Sequence, residues 1–239
     1  MLTIVTPIFN GAQFIESNIK SIQNLRIPYE HIIIDGGSTD GTLNIIKKYS
    51  HIKLLHQKAK TGMYGAIDLG FQVSKGNYIC WVNCDDTIVY DGFEKMLKFG
   101  SDNNLDFVAS KGYYNFIKEN RKQLIPSTRF LKYFLQKGIF PFCQPSTIYK
   151  KSLYLKVNGL DFNNYKICGD MDLFYRMSCV KNAKFGYLPV LSTVFLKYGE
   201  SLGDKNTNLA IKEKKIKGTI PKVLIFDRIL YKLVRLLGV

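Results

Sequence analysis

The chain has 239 residues, 46% of them hydrophobic, enough to bury the core of one large α/β domain, with or without a small annex, and to exclude a disordered chain. A formal net charge of +15 calls for a polyanionic neighbour: nucleic acid, anionic lipid headgroups or phosphate-bearing substrates. Cys80, Cys84, Cys143, Cys168 and Cys179 form an odd set without CxxC spacing, which argues against a disulfide framework and a zinc site. Reduced thiols, the lack of an apolar run long enough to cross a bilayer and a start without a leader-peptide pattern make the cytoplasmic side the expected setting.

In chain order, residues 2–6, 31–35, 52–56 and 78–83 are β-rich runs, with helical patterns between them. Ile15, Ile19 and Ile22 recur on one helical face. Asp40-Gly41-Thr42 opens a second helix at 43–49, and the turn at Thr61-Gly62 leads into a third. This βαβα order predicts a parallel sheet covered on both faces, where ligands gather beyond the carboxyl ends of the strands. Asp35, Asp85 and Asp86 all fall at such ends.

After Asp106 the regularity weakens, and residues 111–133, basic and aromatic without clean periodicity, read as a variable excursion. A strand is expected at 144–149, and a helix at 170–181 with Leu173, Met177 and Val180 buried. A last strand at 187–196 and a polar loop at 197–208 follow. Residues 219–239 predict a basic amphipathic helix, with Val223, Phe226, Leu230, Leu233 and Leu237 on one side and Arg228, Lys232 and Arg235 on the other. With Lys212, Lys214, Lys215 and Lys217 upstream, it suits an anionic membrane surface; the alternative is a helix packed on its own domain. The expected organisation is a main domain over 1–205, divided near 106, and a tail over 206–239.

Three constellations carry chemistry. The run Asn83-Cys84-Asp85-Asp86 places two acids where an apolar strand ends, and burying an ionised carboxylate costs several kcal/mol without a partner. Such a pair suits a metal or a sugar hydroxyl; the plainer reading is an Asp-Asp turn with Asp86 capping the next helix. The turn from Asp35 through Gly36-Gly37 to Thr42 lets a nucleotide approach the backbone closely, or simply caps a helix. It is neither a GxGxxG fingerprint nor a Walker loop. The amides at Gly62 are placed to face a phosphate. Asp170 and Asp172 open the helix at 170, where one can act as a base while the other orients or caps, or both merely favour the positive helix end.

Taken in order, Thr6-Pro7-Ile8-Phe9-Asn10, the Asp35 to Thr42 turn, Asn83-Cys84-Asp85-Asp86 and Gly169-Asp170-Met171-Asp172-Leu173 resemble the family 2 glycosyltransferases. The resemblance covers residues 2–187 and looks most similar to bacterial enzymes that assemble surface polysaccharides such as capsule or O-antigen. It implies a GT-A fold and inverting transfer of a hexose or N-acetylhexosamine from a nucleotide-diphosphate sugar, expected to be UDP-linked. It further implies Asp86 as the ligand of Mn²⁺ or Mg²⁺, Asp85 at the ribose, Asp35 with the Thr6 and Pro7 backbone at the nucleoside, and Asp170 as general base. The implied acceptor is a glycan or a polyisoprenyl-diphosphate-linked oligosaccharide at the inner face of the cytoplasmic membrane. Gly36 stands where many members have a second Asp that reads the nucleoside base, Lys60 and Gly65 occupy positions that are often Asp in the closest-looking subgroup, and Cys143 precedes Gln144 where His is frequent; these departures bear on the nucleoside base, the donor sugar and part of the phosphate or acceptor pocket. Two other classes stand beside this reading: a nucleic-acid-binding module using residues 111–133, and a nucleotidyltransferase. The strand-end acids argue against the first, and the lack of an early Gly-rich loop with a basic residue argues against the second.

Overall fold

The computed structural model describes residues 1–59, 61–125, 127–199, 205–214 and 221–236. Strand β1 (Leu2–Ile8) is buried along its whole length between parallel neighbours β2 (Tyr29–Asp35) and β4 (Tyr78–Trp81), with β3 (Ile52–His56) outside β2. Because successive residues of a strand face opposite sides, the apolar runs serve two cores. On one face Val5, Ile32, Ile34, Ile79 and Trp81 meet Tyr64, Ile67 and Phe71 of α3 (Gly62–Gln72). On the other, Ile8 and Ile33 pack with Ile15 and Ile19 of α1 (Ile15–Gln23) and Ile46 of α2 (Thr42–Ile46). The expected parallel, doubly covered sheet is therefore present, although α2 ends three residues before the predicted boundary at 49.

Beyond β4 the same sheet continues with mixed directions. Its order is β3-β2-β1-β4-β8-β6-β9-β5, where β5 is Thr87–Ile88, β6 Phe107–Phe116, β8 Thr147–Lys150 and β9 Phe185–Lys197. Strand β9 runs parallel to β6 and antiparallel to β5, so the end of the chain's longest strand returns beside the acids that follow β4. Helix α4 (Tyr90–Asp102) packs against β9 so closely that a Cβ on Gly92 would stand 1.9 Å from the Leu191 carbonyl oxygen.

Residues 111–133 are not an irregular excursion. They complete β6, form β7 (Arg121–Ile125) as its antiparallel hairpin partner and begin α5 (Leu131–Gln136). Four of the five β7 residues are exposed, so the hairpin lacks the apolar alternation that marks a half-buried strand. The strand expected at 144–149 starts later, because Gln144–Ser146 is a 3-10 turn containing Pro145, which has no N–H for a ladder. Helices α6 (Lys151–Lys156) and α7 (Gly169–Cys179) follow.

Of the expected polar loop, residues 200–204 lie outside the described residues, and helix α8 (Thr207–Glu213) comes after them. The tail helix α9 is Ile225–Leu236; Lys215, Lys217 and Leu237 lie outside the described residues. It docks on α5 through a hydrogen bond from the Tyr133 hydroxyl to Asp227 (3.1 Å) and a Phe134 to Tyr231 ring contact at 5.0 Å. The predicted apolar face is split by this docking. Leu230 is half-buried on the docked side, whereas Phe226, Ile229, Leu233 and Leu236 are exposed. No helix among the described residues is long and apolar enough to cross a membrane.

Candidate active site

The parallel strands deliver their carboxyl ends to one edge of the sheet. Thr6 and Pro7 close β1, Asp35 closes β2, and Asp85 and Asp86 lie in the turn after β4. Asn18 of α1 holds that turn by donating to the carbonyls of Asn83 (3.0 Å) and Asp86 (2.9 Å). Thr6 is fully buried, with its hydroxyl 3.0 Å from His31 Nε2.

Asp35 is buried and spends its oxygens on its own turn. It accepts the amides of Gly37 (3.0 Å) and Ser38 (3.1 Å), and His56 Nδ1 lies at 3.2 Å. Burial works against its charge, but these bonds outweigh it and hold the carboxyl below its ordinary range. Asn10, in the left-handed region, ties the neighbouring loop on by accepting from the Thr39 amide (2.9 Å). Beside Gly36 stands Phe9, 66% exposed, an aromatic face inside the first sequence motif to which the sequence assigned no role. A Cβ at Gly36 would make only ordinary contacts, at 3.4 Å and beyond, so the acid absent there is not excluded by space.

Asp86 is 1% exposed; its Oδ1 accepts the Leu196 amide at the end of β9 (3.0 Å), while Oδ2 and the Asn83 Oδ1 have no partner among the described residues. Asp85, half-buried, accepts the Tyr198 hydroxyl at 3.1 Å. Burial raises both carboxyls, Asp86 far above the ordinary range, and the charge of Asp85 adds to the shift at Asp86; the Lys197 ammonium acts in the opposite sense. Two crowded carboxylates and an amide oxygen are hard donors suited to Mg²⁺ or Mn²⁺, with the remaining coordination left to phosphate and water. Among the described residues no group of three His, Cys, Asp or Glu gathers as a complete cage.

Gly62 begins α3 with φ +76 and open space around it, and Thr61 gives that helix no side-chain cap. Lys60 lies outside the described residues. A Cβ on Gly65 would fall 1.9 Å from the Thr61 hydroxyl, so this turn has no room for the larger residue common there.

Across from these ends, Asp170 occupies the first turn of α7. Its Oδ1 accepts the Met171 amide (2.8 Å) and the Tyr64 hydroxyl (3.2 Å). Burial raises the carboxyl and these bonds only partly offset it, leaving it above its ordinary range. Asp172 is committed elsewhere: it pairs with Arg176 at 2.6 Å, and that guanidinium donates to the Val157 and Gly159 carbonyls. Of the two helix-start acids, Asp170 alone is left for chemistry. Tyr114 of β6 lies within electrostatic reach of both Asp86 and Asp170. Its hydroxyl is pushed up to about 12 by burial first, with the charges of Cys143, Asp86 and Asp170 among the further causes. Tyr64, Tyr114, Lys197 and Tyr198 were not legible as site residues because the sheet brings them in from distant segments.

The model of glycosyl transferase family 2 matches residues 3–157. The chain belongs to this family. It is 27% identical over 186 residues to the Staphylococcus aureus poly(ribitol-phosphate) beta-N-acetylglucosaminyltransferase TarP, covering 72% of this chain and 55% of that protein. It is 32% identical over 132 residues to the cholesterol galactosyltransferase of Borreliella burgdorferi, covering 52% and 37%. The chain thus spans about half the length, or less, of these relatives. In fold it is similar to S. aureus TarS 1-349 in complex with UDP-GlcNAc, with a TM-score of 0.70, 16% identity, and coverage of 86% of this chain and 60% of that one. It is also similar to the mannosyltransferase PcManGT of Pyrobaculum calidifontis in complex with GDP-Man and Mn²⁺, with a TM-score of 0.66, 16% identity, and coverage of 98% and 69%. The expected GT-A fold and transferase class are therefore those of this chain, and the two rival classes give way.

Proposed function

We propose that this family 2 enzyme inverts the anomeric centre as it moves one hexose or N-acetylhexosamine from a nucleotide-diphosphate donor to a glycan or polyisoprenyl-diphosphate-linked acceptor. The observation that carries the reading is Asp170, a carboxyl in the first turn of α7 that accepts the Met171 amide and the Tyr64 hydroxyl, is raised by burial, and whose charge acts with that of Asp86 on the Tyr114 hydroxyl. As a base it takes the proton of the acceptor hydroxyl while that oxygen attacks the anomeric carbon opposite the diphosphate, giving inversion in one displacement. A carboxyl with a raised pKa accepts that proton more readily than an ordinary one.

Asp35, the Thr6 and Pro7 backbone and exposed Phe9 form the nucleoside end, and Asp85 reaches the ribose. The amides at the start of α3, where Gly62 leaves open space, would face the diphosphate. Asp86, with its unpartnered oxygen, would hold Mn²⁺ or Mg²⁺, which when bound neutralises the leaving diphosphate. The UDP-GlcNAc and GDP-Man named for the structural neighbours support a nucleotide-sugar donor, and the Mn²⁺ of one supports the metal. UDP is the expected nucleotide. The exposed stripe of α9, beside Arg228, Lys232 and Arg235, suits peripheral attachment to an anionic inner membrane face where a lipid-linked acceptor resides.

A panel of UDP- and GDP-sugars identifies the donor by turnover. Asp170→Asn is expected to lower kcat by roughly 10²- to 10⁴-fold while donor binding, measured by calorimetry, is retained; undiminished turnover sinks the base assignment. Calorimetry with and without Mn²⁺ tests Asp86: donor affinity that ignores both the metal and Asp86→Ala removes its role.

A further inference from the structure

Glu213, the last residue of α8, is 3% exposed, and its carboxylate is inserted into the loop that precedes α7. Oε1 accepts the Lys166 amide at 2.7 Å, and Oε2 accepts those of Ile167 at 3.0 Å and Cys168 at 2.8 Å. Three consecutive N–H groups converging on one anion form a backbone nest, here filled by a side chain from 45 residues downstream. The Cys168 thiol reinforces the contact by donating to the Ala210 carbonyl at 3.6 Å. Cys168, at the N-cap of α7, offers the helix no side-chain cap, so α8 supplies from outside the order that this approach lacks.

The peptide unit joining Ile167 to Cys168 is gripped on both sides. Its N–H is held by Glu213, and its C=O, at 2.8 Å, shares the single proton of the Tyr64 hydroxyl with Asp170. The same hydroxyl lies 3.2 Å from Asp170 Oδ1, two residues further along. We infer that Glu213 is a positioning residue for the proton-accepting carboxylate: through the 167–168 peptide and Tyr64 it fixes where Asp170 stands. This rests on the reading of Asp170 as base. It gives the segment beyond β9 a part in the chemistry, because α8 anchors the loop from which the base helix starts.

The test compares Glu213→Gln, which keeps the reach but replaces one accepting oxygen with a donor, and Glu213→Asp, which keeps the charge but is one methylene shorter. Both are made in the full chain beside Asp170→Asn, and assayed with the donor that the sugar-nucleotide panel identifies. Folded fraction is taken from thermal melts, and hydrogen exchange is followed at the 166–168 amides. Faster exchange at those amides and a fall in kcat per folded molecule of roughly 10- to 100-fold, with the donor KM unchanged, are expected for Gln. A smaller fall in the same sense is expected for Asp. Faster exchange with wild-type kcat in both variants overturns the inference and leaves Glu213 as a brace only. If Gln does not fold, Asp decides by the same criteria. Undiminished turnover in Asp170→Asn defeats the base reading instead, independently of either Glu213 variant.

Discussion

Asp86 sits where an ionised carboxyl is disfavoured by burial and by Asp85, with one oxygen left unpartnered. Its folded pKa is raised above the unfolded value, so the folded state holds a proton that the unfolded chain gives up. That term favours folding at low pH and fades as pH rises from the ordinary carboxylate range through the raised value. Above the ordinary carboxylate range the burial of Asp86 therefore costs stability. Asp86→Asn is expected to raise the metal-free Tm by about 2–4 °C for each kcal/mol relieved, while abolishing any rise with Mn²⁺; a lower Tm would contradict the argument. At Asp170 the sign is set by Tyr64, whose hydrogen bond lowers a carboxyl that burial raises. Tyr64→Phe should move the carboxyl further up, so the acid limb of the kcat/KM profile shifts to higher pH. The four acids were legible in the sequence because each ends a strand or opens a helix. Their tuning was not, since the Tyr64 to Asp170 and Leu196 to Asp86 contacts join residues 106 and 110 positions apart.

Among the elements, the crossing of α4 and β9 decides where the return strand delivers Leu196 and Tyr198. Gly92 allows that crossing. Alanine favours a helix by about 1 kcal/mol over glycine, but here its Cβ would meet the Leu191 carbonyl, and a backbone atom held in a sheet cannot swing aside. The clash should win: Gly92→Ala is expected to destabilise by about 1–3 kcal/mol, read as a shift in urea midpoint at constant slope. Strands β1, β2 and β4 were legible from apolar runs because both faces of that part of the sheet are buried, and the half-buried edge strand β3 from its own short β-rich run. The β6 and β7 hairpin was not, since β7 is exposed and its order comes from β6.

For the molecule as a whole, the +15 charge and the exposed stripe of α9 are what the proposed membrane attachment rests on. Docking on α5 uses Asp227 and Tyr231, and this leaves Phe226, Ile229, Leu233 and Leu236 outward. Phe226→Ser with Leu233→Ser is expected to reduce pelleting with anionic liposomes while the melting transition and donor turnover persist; raising salt should weaken the wild type as well. Unchanged pelleting would return α9 to a purely structural role. The sequence by itself determined the parallel half of the sheet, the strand-end acids and the acid that opens α7, because these follow from local periodicity and from side chains within a few residues. Tertiary structure alone decided that β9 returns to Asp86, that Tyr64 and Glu213 bracket the approach to Asp170, and which stripe of α9 stays exposed. Those contacts depend on sheet order and helix docking, which bring together residues that no local pattern relates.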